Sequence, residues 1–468
     1  MEVTVKRQSI VYRPLGILLV ASGIAILWML FPGDPAMLAL LAIIVIFIIG
    51  FKKPVWAMAA LLISQLTIPG YMVGPLSLRI LMLILIGFII WRTQTQEKIQ
   101  LGKKAKRVII PVLILIGISI IANLTHSSFD FVFKDFRNML GGLLIIIFLP
   151  AVVRNVKDLK LLCGVVFIGV ITSTIVAIMQ HYNILGMVQN LVIPGRVQGI
   201  AENELELSYT LCVGFLAVLG ILILKGVNKG NRRLLIPAIL MLPALYFTYT
   251  RSALIALLFG LVALVLFLKT RIKGEVILLV ILAATLYLSL SGTTDNFSFS
   301  ARSQVGQEAS SISRKILWQA CIAIAMDNPV LGIGGGQYMK IAPQYTDAVD
   351  PALIKWEEDR YWSYRTLGSV SIHNVFLNMW VSYGTIALIV FLWIILAVLR
   401  NFLDSFRTSN QRFIRGLAIG LAAGLVAYVV NAFYHNLQAE FPLFWIIAGF
   451  SVATAKLAAN STGQVQGA

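Results

Sequence analysis

Apolar runs long enough to cross a bilayer recur along almost the whole chain, separated by short segments that carry lysine and arginine. In hydrocarbon every backbone N–H and C=O must be satisfied inside the protein, and a helix does this within a single segment, so such a chain folds as a bundle of spanning helices. A hydrocarbon core of roughly 30 Å takes about 20 helical residues. On that rule about fourteen spans are expected, within a range of 12–14, near residues 15–32, 36–50, 54–69, 77–91, 108–123, 138–153, 159–180, 206–224, 234–250, 252–268, 275–291, 372–399, 413–434 and 440–457. The expected fold is an all-α polytopic integral membrane protein with a single membrane domain. Spans one to eleven occupy residues 1–290, a large and partly helical extracytoplasmic loop occupies 291–371, and the last three spans and a cytoplasmic tail occupy 372–468. Hydrophobic residues at 59%, charged residues at 12% and a mean hydropathy of +0.88 exclude an ordinary soluble domain.

One pair of spans needs an argument. Between 234 and 268 only Arg251 and its polar neighbours Thr248, Thr250 and Ser252 interrupt the apolar character. A single helix of that length would measure about 52 Å, too long for one crossing, so two helices meeting at Arg251 are expected. Charge gives independent support. With the N-terminus inside, 26 of the 38 basic residues fall in inner segments and 15 of the 20 acidic residues fall outside, as the positive-inside rule requires. Fusing the Arg251 pair would place the basic cluster around Arg400 on the wrong side. Both termini are therefore expected in the cytoplasm. The same distribution explains a net charge of +18 without nucleic acid, because the basic residues sit in short loop clusters. Cys163, Cys212 and Cys321 have no close-set Cys or His partners, which argues against a disulfide framework or a structural zinc site.

The polar segment from Ser291 onward is where water-facing chemistry can be housed. Ser313–Met326 carries apolar residues at helical spacing, Pro351–Tyr364 follows Asp350 as an N-cap, and Gly332 to Gly336 reads as a turn allowing close backbone approach. The segment ends on His373 and Asn374, at the threshold of the next apolar run. The expected topology puts Arg196, Arg251, Arg314 and His373 on one side, and the guanidinium fork suits phosphate oxygens. His373 is the leading catalytic candidate, with His435 as its rival; His126 and His181, in short outer loops, carry less. Glu202, Glu204 and Glu206 read as a solvated face, and the aromatic residues of 356–364, Trp362 among them, as an interfacial belt that could stack on sugars. No acidic cluster with metal-ligand spacing falls outside, so no metal and no other cofactor is expected.

Gly195-Arg196-Val197-Gln198-Gly199, Thr250-Arg251-Ser252-Ala253-Leu254, Arg314 to Trp318, Asn328-Pro329-Val330-Leu331-Gly332-Ile333-Gly334 and His373-Asn374 followed by Tyr383-Gly384 together resemble, in this order, the bacterial O-antigen ligase and polymerase superfamily (WaaL and Wzy types). The resemblance implies a metal-independent, inverting glycosyltransferase of the GT-C kind. It would transfer or polymerise undecaprenyl-diphosphate-linked glycan on the extracytoplasmic face of the bacterial inner membrane, in lipopolysaccharide or other cell-envelope polysaccharide synthesis. It also implies that Arg196 and Arg251 hold the diphosphate while His373 activates an acceptor hydroxyl. Arg314, Asn374, Tyr338 and Trp362 are the expected substrate-binding residues. Implied partners are the lipid-linked donor, a glycan or lipid acceptor, membrane lipids and a chain-length regulator. The alternative from another class is a polytopic flippase for the same lipid-linked glycan.

Overall fold

The computed structural model describes residues 50, 53–67, 82–90, 102–127, 129–184, 196–201, 203–226, 232–268, 305–360, 366–435 and 442–463. Its longer elements are all helices: α1 (Pro54–Thr67), α2 (82–90), α3 (Lys103–His126), α4 (Phe129–Val152), α5 (Val156–His181), α6 (Glu204–Lys225), α7 (Leu235–Phe247), α8 (Arg251–Leu268), α9 (Val305–Asp327), α10 (Pro351–Arg360), α11 (Val375–Thr408), α12 (Arg412–Ala432) and α13 (Leu443–Gly463). Eight of these, α3 to α6, α8 and α11 to α13, are long and apolar enough to cross a membrane. The expected spans at 15–32 and 275–291, and nearly all of 36–50, lie outside the described residues, as does the loop around Trp362.

The helices alternate in direction, and ion pairs and hydrogen bonds mark the two ends of the bundle. At one end Lys104 and Arg107 of α3 reach Asp404 of α11 at 2.6 and 2.9 Å. There Lys456 of α13 also donates to the carbonyls of Pro150 and Val153, which α4 leaves without helical partners. At the opposite end lie His126, His181, Arg196, Arg251 and His373, together with the starts of α6, α8 and α11. Rows such as Ile386, Ile389, Trp393 and Leu396 stay exposed along α11, as expected of a face that meets acyl chains.

Small residues set the tightest helix crossing. Gly416, Gly420 and Gly424 recur at every fourth position of α12 and face α6. A Cβ on Gly220 would lie 2.5 Å from the carbonyl oxygen of Gly416, and one on Gly420 would lie 2.5 Å from that of Leu216. In lipid, where apolar burial no longer drives association, such backbone approach supplies the dispersion contacts that hold helices together. The turn at Arg251 agrees with the expected split. Tyr249 takes a left-handed conformation at φ 49° between α7 and α8, reversing the chain at Thr248–Thr250.

The run expected as one span at 372–399 is organised differently. α11 has 34 residues, about 51 Å at full length. It breaks at Gly384, which has φ 84° and ψ 177°, and the break frees carbonyls that the polar segment then uses. Ile333 and Gly334 donate to the carbonyls of Val381 and Ser382 at 2.8 and 2.9 Å, and Thr385 donates to that of Pro329 at 2.8 Å. Before the break, Leu377, Trp380 and Val381 pack on α9 in a separate small core that includes Leu317, Ile324, Ile333 and Ile372. Asp350 caps α10 as expected, its Oδ1 accepting from the N–H of Ala352.

Candidate functional site

Arg196 lies on a short loop that α5 holds from below. The Gln180 side chain accepts from the N–H groups of Gln198 and Gly199 and donates to the Gly199 carbonyl, while Ser173 Oγ accepts from Ile200 N–H. Gly199 has φ 61°, and a Cβ there would lie 2.5 Å from Ser173 Oγ, so the loop closes onto α5 only with glycine at this position. Thus fixed, Arg196 Nη1 meets Glu204 Oε1 at 2.9 Å. Glu204 is buried beside the Asn203 cap of α6, which overturns its assignment to a solvated face; Glu202 lies outside the described residues.

His373 precedes the N-cap of α11 and has φ 52°, a conformation that costs a non-glycine residue about 1–3 kcal/mol and persists only where its surroundings impose it. Those surroundings are visible. Trp318 Nε1 donates to the Ile372 carbonyl at 3.1 Å, Asn374 Oδ1 accepts from the N–H groups of Phe376 and Leu377, and Glu357 anchors Thr366 upstream. Burial, followed by the charge of Arg314, holds the His373 imidazole below its ordinary value of 6.5. Arg314, on α9, is itself lowered by burial. Tyr434 acts on it in the opposite sense, and the charge of Arg196 adds to the lowering.

His435, just beyond α12, completes the cluster. Its Nε2 lies 2.7 Å from Ser252 Oγ, and its ring stands edge-on to Tyr209 with centroids 6.2 Å apart. Burial, with the charges of Arg314, His373 and Arg196, pushes it down to about 3, so it is neutral throughout the physiological range. The structure thus brings Arg196, Arg314, His373 and His435 into one electrostatic neighbourhood. Arg251, which the motifs set beside Arg196 and His373, opens α8, exposed, one residue before Ser252. The Asn374 carboxamide oxygen serves as the α11 cap, and Tyr338 is buried with its hydroxyl donating to the Leu317 carbonyl at 2.9 Å. Both therefore brace the site. Ser252 stands in the sequence only as a polar neighbour of Arg251, and Tyr209, a tyrosine in an apolar run, carries no signal there.

Several polar atoms around this cluster have no hydrogen-bond partner among the described residues: Arg196 Nε, Arg314 Nε, the Tyr209 hydroxyl and both side-chain polar atoms of Asn431, all buried. Buried polar groups left without a partner each cost about 1–3 kcal/mol, which is offset when a ligand satisfies them. The chemistry on offer is cationic, with Glu204 as its one close carboxylate among the described ion pairs, and α6, α8 and α11 all begin here with their positive dipole ends. Such an arrangement suits a large anion. Among the described residues no group of three or more His, Cys, Asp or Glu is placed to hold a metal.

The helices and this cluster define a multi-pass, all-α membrane protein with a buried cationic site at one end of its bundle. Residues 236–392 match the Wzy_C family model, described as O-antigen ligase. The match begins in α7, ends in α11 and contains Arg251, Arg314, Tyr338 and His373, whereas Arg196 and His435 fall outside it. No curated protein matches the chain. That match supports the O-antigen ligase/polymerase superfamily, which the motifs resemble, and with it glycosyl transfer in general terms.

Proposed function

We propose that the protein transfers or polymerises undecaprenyl-diphosphate-linked glycan on the extracytoplasmic face of the bacterial inner membrane, with inversion at the anomeric carbon. The observation that carries this reading is the pair of guanidiniums, Arg196 and Arg314, whose buried Nε atoms have no hydrogen-bond partner among the described residues, beside two imidazoles whose protonation burial disfavours. An acceptor hydroxyl attacks the anomeric carbon while the bond from that carbon to the diphosphate oxygen breaks. The hydroxyl proton passes to His373, and the lipid diphosphate leaves with negative charge that Arg196 and Arg314 stabilise, with Arg251 at the rim meeting it as it enters and departs. His373 suits the role of base better than His435, because a base pushed down to about 3 holds a proton too weakly to draw it from a hydroxyl. Fixed guanidiniums supply the charge stabilisation that other diphosphate-using enzymes draw from a divalent cation.

The charge bias of the loops supports a cytoplasmic position for the end bearing the basic clusters and an outer position for the site. The test uses purified full-length protein with lipid-linked oligosaccharide, with and without a separate acceptor. New glycosidic bonds are expected in the parental protein and are lost in Arg314→Gln. Elongation without added acceptor would identify a polymerase, and dependence on one a ligase. Movement of the lipid-linked sugar across vesicles with no new bond would sink the transferase reading and favour a flippase.

A further inference from the structure

A second space opens beside the cationic cluster: a cavity of about 330 Å³ between α3, α4, α11, α12, α13 and the Gly335–Gly336 turn. Its wall includes Ser371, Ile372 and Val375, which flank His373 and Asn374 in the chain. Its chemistry differs from that of the arginine site. Asp135 of α4 accepts through Oδ2 from the Tyr383 hydroxyl at 2.6 Å and from Asn123 Nδ2 at 2.8 Å, which fixes the carboxylate at the cavity wall. One turn further along α4, Asn138 also lines the cavity; it is 6% exposed, and its Oδ1 is buried with no hydrogen-bond partner. These groups accept hydrogen bonds, so they call for a ligand that donates them. A phosphate offers only acceptor oxygens and would face the Asp135 carboxylate; a polyol offers hydroxyls and no charge.

Lys134 also lines the cavity, and the rest of its wall mixes aliphatic side chains with aromatic rings. The Trp445 indole lies directly against the α4 backbone at Gly142, where a Cβ would come within 2.3 Å of the ring, and Tyr428 and Phe444 line the same space. The negative face of an aromatic ring attracts the weakly positive C–H groups on the flat side of a sugar. The volume lies at the small end of ligand sites of roughly 300–1,000 Å³.

We propose that this cavity is the acceptor subsite, in which a terminal glycosyl ring is held through hydroxyls on Asp135 and Asn138 and through its C–H face on Trp445, presenting the attacking hydroxyl on the His373 side. The inference rests on the transferase reading but is tested by binding, without turnover. The division of labour is electrostatic: the anionic donor goes to the guanidiniums, the neutral acceptor to the carboxylate and carboxamide.

The probe is the repeat-unit oligosaccharide released from the producing organism's surface polysaccharide, labelled at its reducing end and titrated into full-length protein in detergent by fluorescence anisotropy. The parental protein is expected to bind it, Asn138→Leu to weaken binding about tenfold or more, and Asn138→Asp, which keeps an acceptor oxygen, to restore most of it. Affinity for undecaprenyl diphosphate should be unchanged in Asn138→Leu and lost in Arg314→Gln. Thermal unfolding of each variant checks its fold. Absence of oligosaccharide binding in the parental protein, parental affinity in Asn138→Leu, or lost diphosphate affinity in that variant would overturn the assignment. Oligosaccharide binding by a protein that forms no glycosidic bond would uphold the subsite and fail the transferase instead.

Discussion

His373 combines three properties that pull against one another: a backbone conformation that suits glycine, a half-buried imidazole, and a neighbouring cation that discourages protonation. Substitution by glycine removes the base and keeps the backbone. His373→Gly is therefore expected to lower kcat by about 10²–10⁴-fold while leaving unfolding stability within about 1 kcal/mol of parental. A fall in stability of several kcal/mol would instead make the residue chiefly structural. The proposed base works only when neutral, so activity should fall as pH drops through a value below 6.5, and Arg314→Gln should move that acid limb upward in whatever activity remains. His435 makes a separate prediction about stability. Its folded-state value of about 3 lies below the ordinary 6.5, so between those values the unfolded chain binds more protons and folding weakens as pH falls. His435→Gln should flatten the decline in thermal midpoint between about pH 6.5 and 5; an unchanged slope would contradict the burial of this ring in neutral form.

At the scale of elements, two glycine devices hold the site. The break at Gly384 lets the polar segment insert its N–H groups against α11, and this fixes Arg314 and His373 relative to one another through α9. A Cβ at Gly384 would lie 2.0 Å from the Val330 carbonyl oxygen, on a backbone that only glycine adopts readily. Gly384→Ala is expected to cost about 3 kcal/mol or more, seen as a lower thermal midpoint in detergent together with loss of transfer. The α6–α12 crossing carries Glu204 at one end of its first helix and His435 just past the end of its second. Gly420→Val should separate these helices and weaken both stability and activity, since the Leu216 carbonyl leaves no room for a side chain.

For the whole molecule, the alternation of helices and the concentration of basic residues in one set of loops predict a topology open to direct measurement. In a background with Cys163, Cys212 and Cys321 replaced, a cysteine at Lys157 should be shielded from a membrane-impermeant maleimide in intact cells, and one at Tyr345 should react. The reverse pattern would invert the protein and with it the proposed side of catalysis. Because arginines carry the charge stabilisation in the proposed mechanism, excess EDTA should leave transfer at its original rate; loss restored by Mg²⁺ or Mn²⁺ would show that guanidiniums alone do not suffice.

The helical, membrane-spanning character, the split at Arg251, the glycine turn and the place of His373 ahead of α11 are legible in the residues alone, because each follows from local rules of apolar length, charge, capping and backbone sterics. It also carried the order of motifs shared with the O-antigen ligase/polymerase superfamily. Tertiary structure alone decided that Glu204 turns inward to Arg196, that Arg314 lies in the cluster while Arg251 stands at its rim, and that His435 sits against Ser252. It alone joined Asp135 to Tyr383 across more than two hundred residues and broke α11 at Gly384. These are contacts between segments distant in the chain, and burial, pairing and pKa depend on what those segments bring together, a quantity that no single stretch of residues encodes.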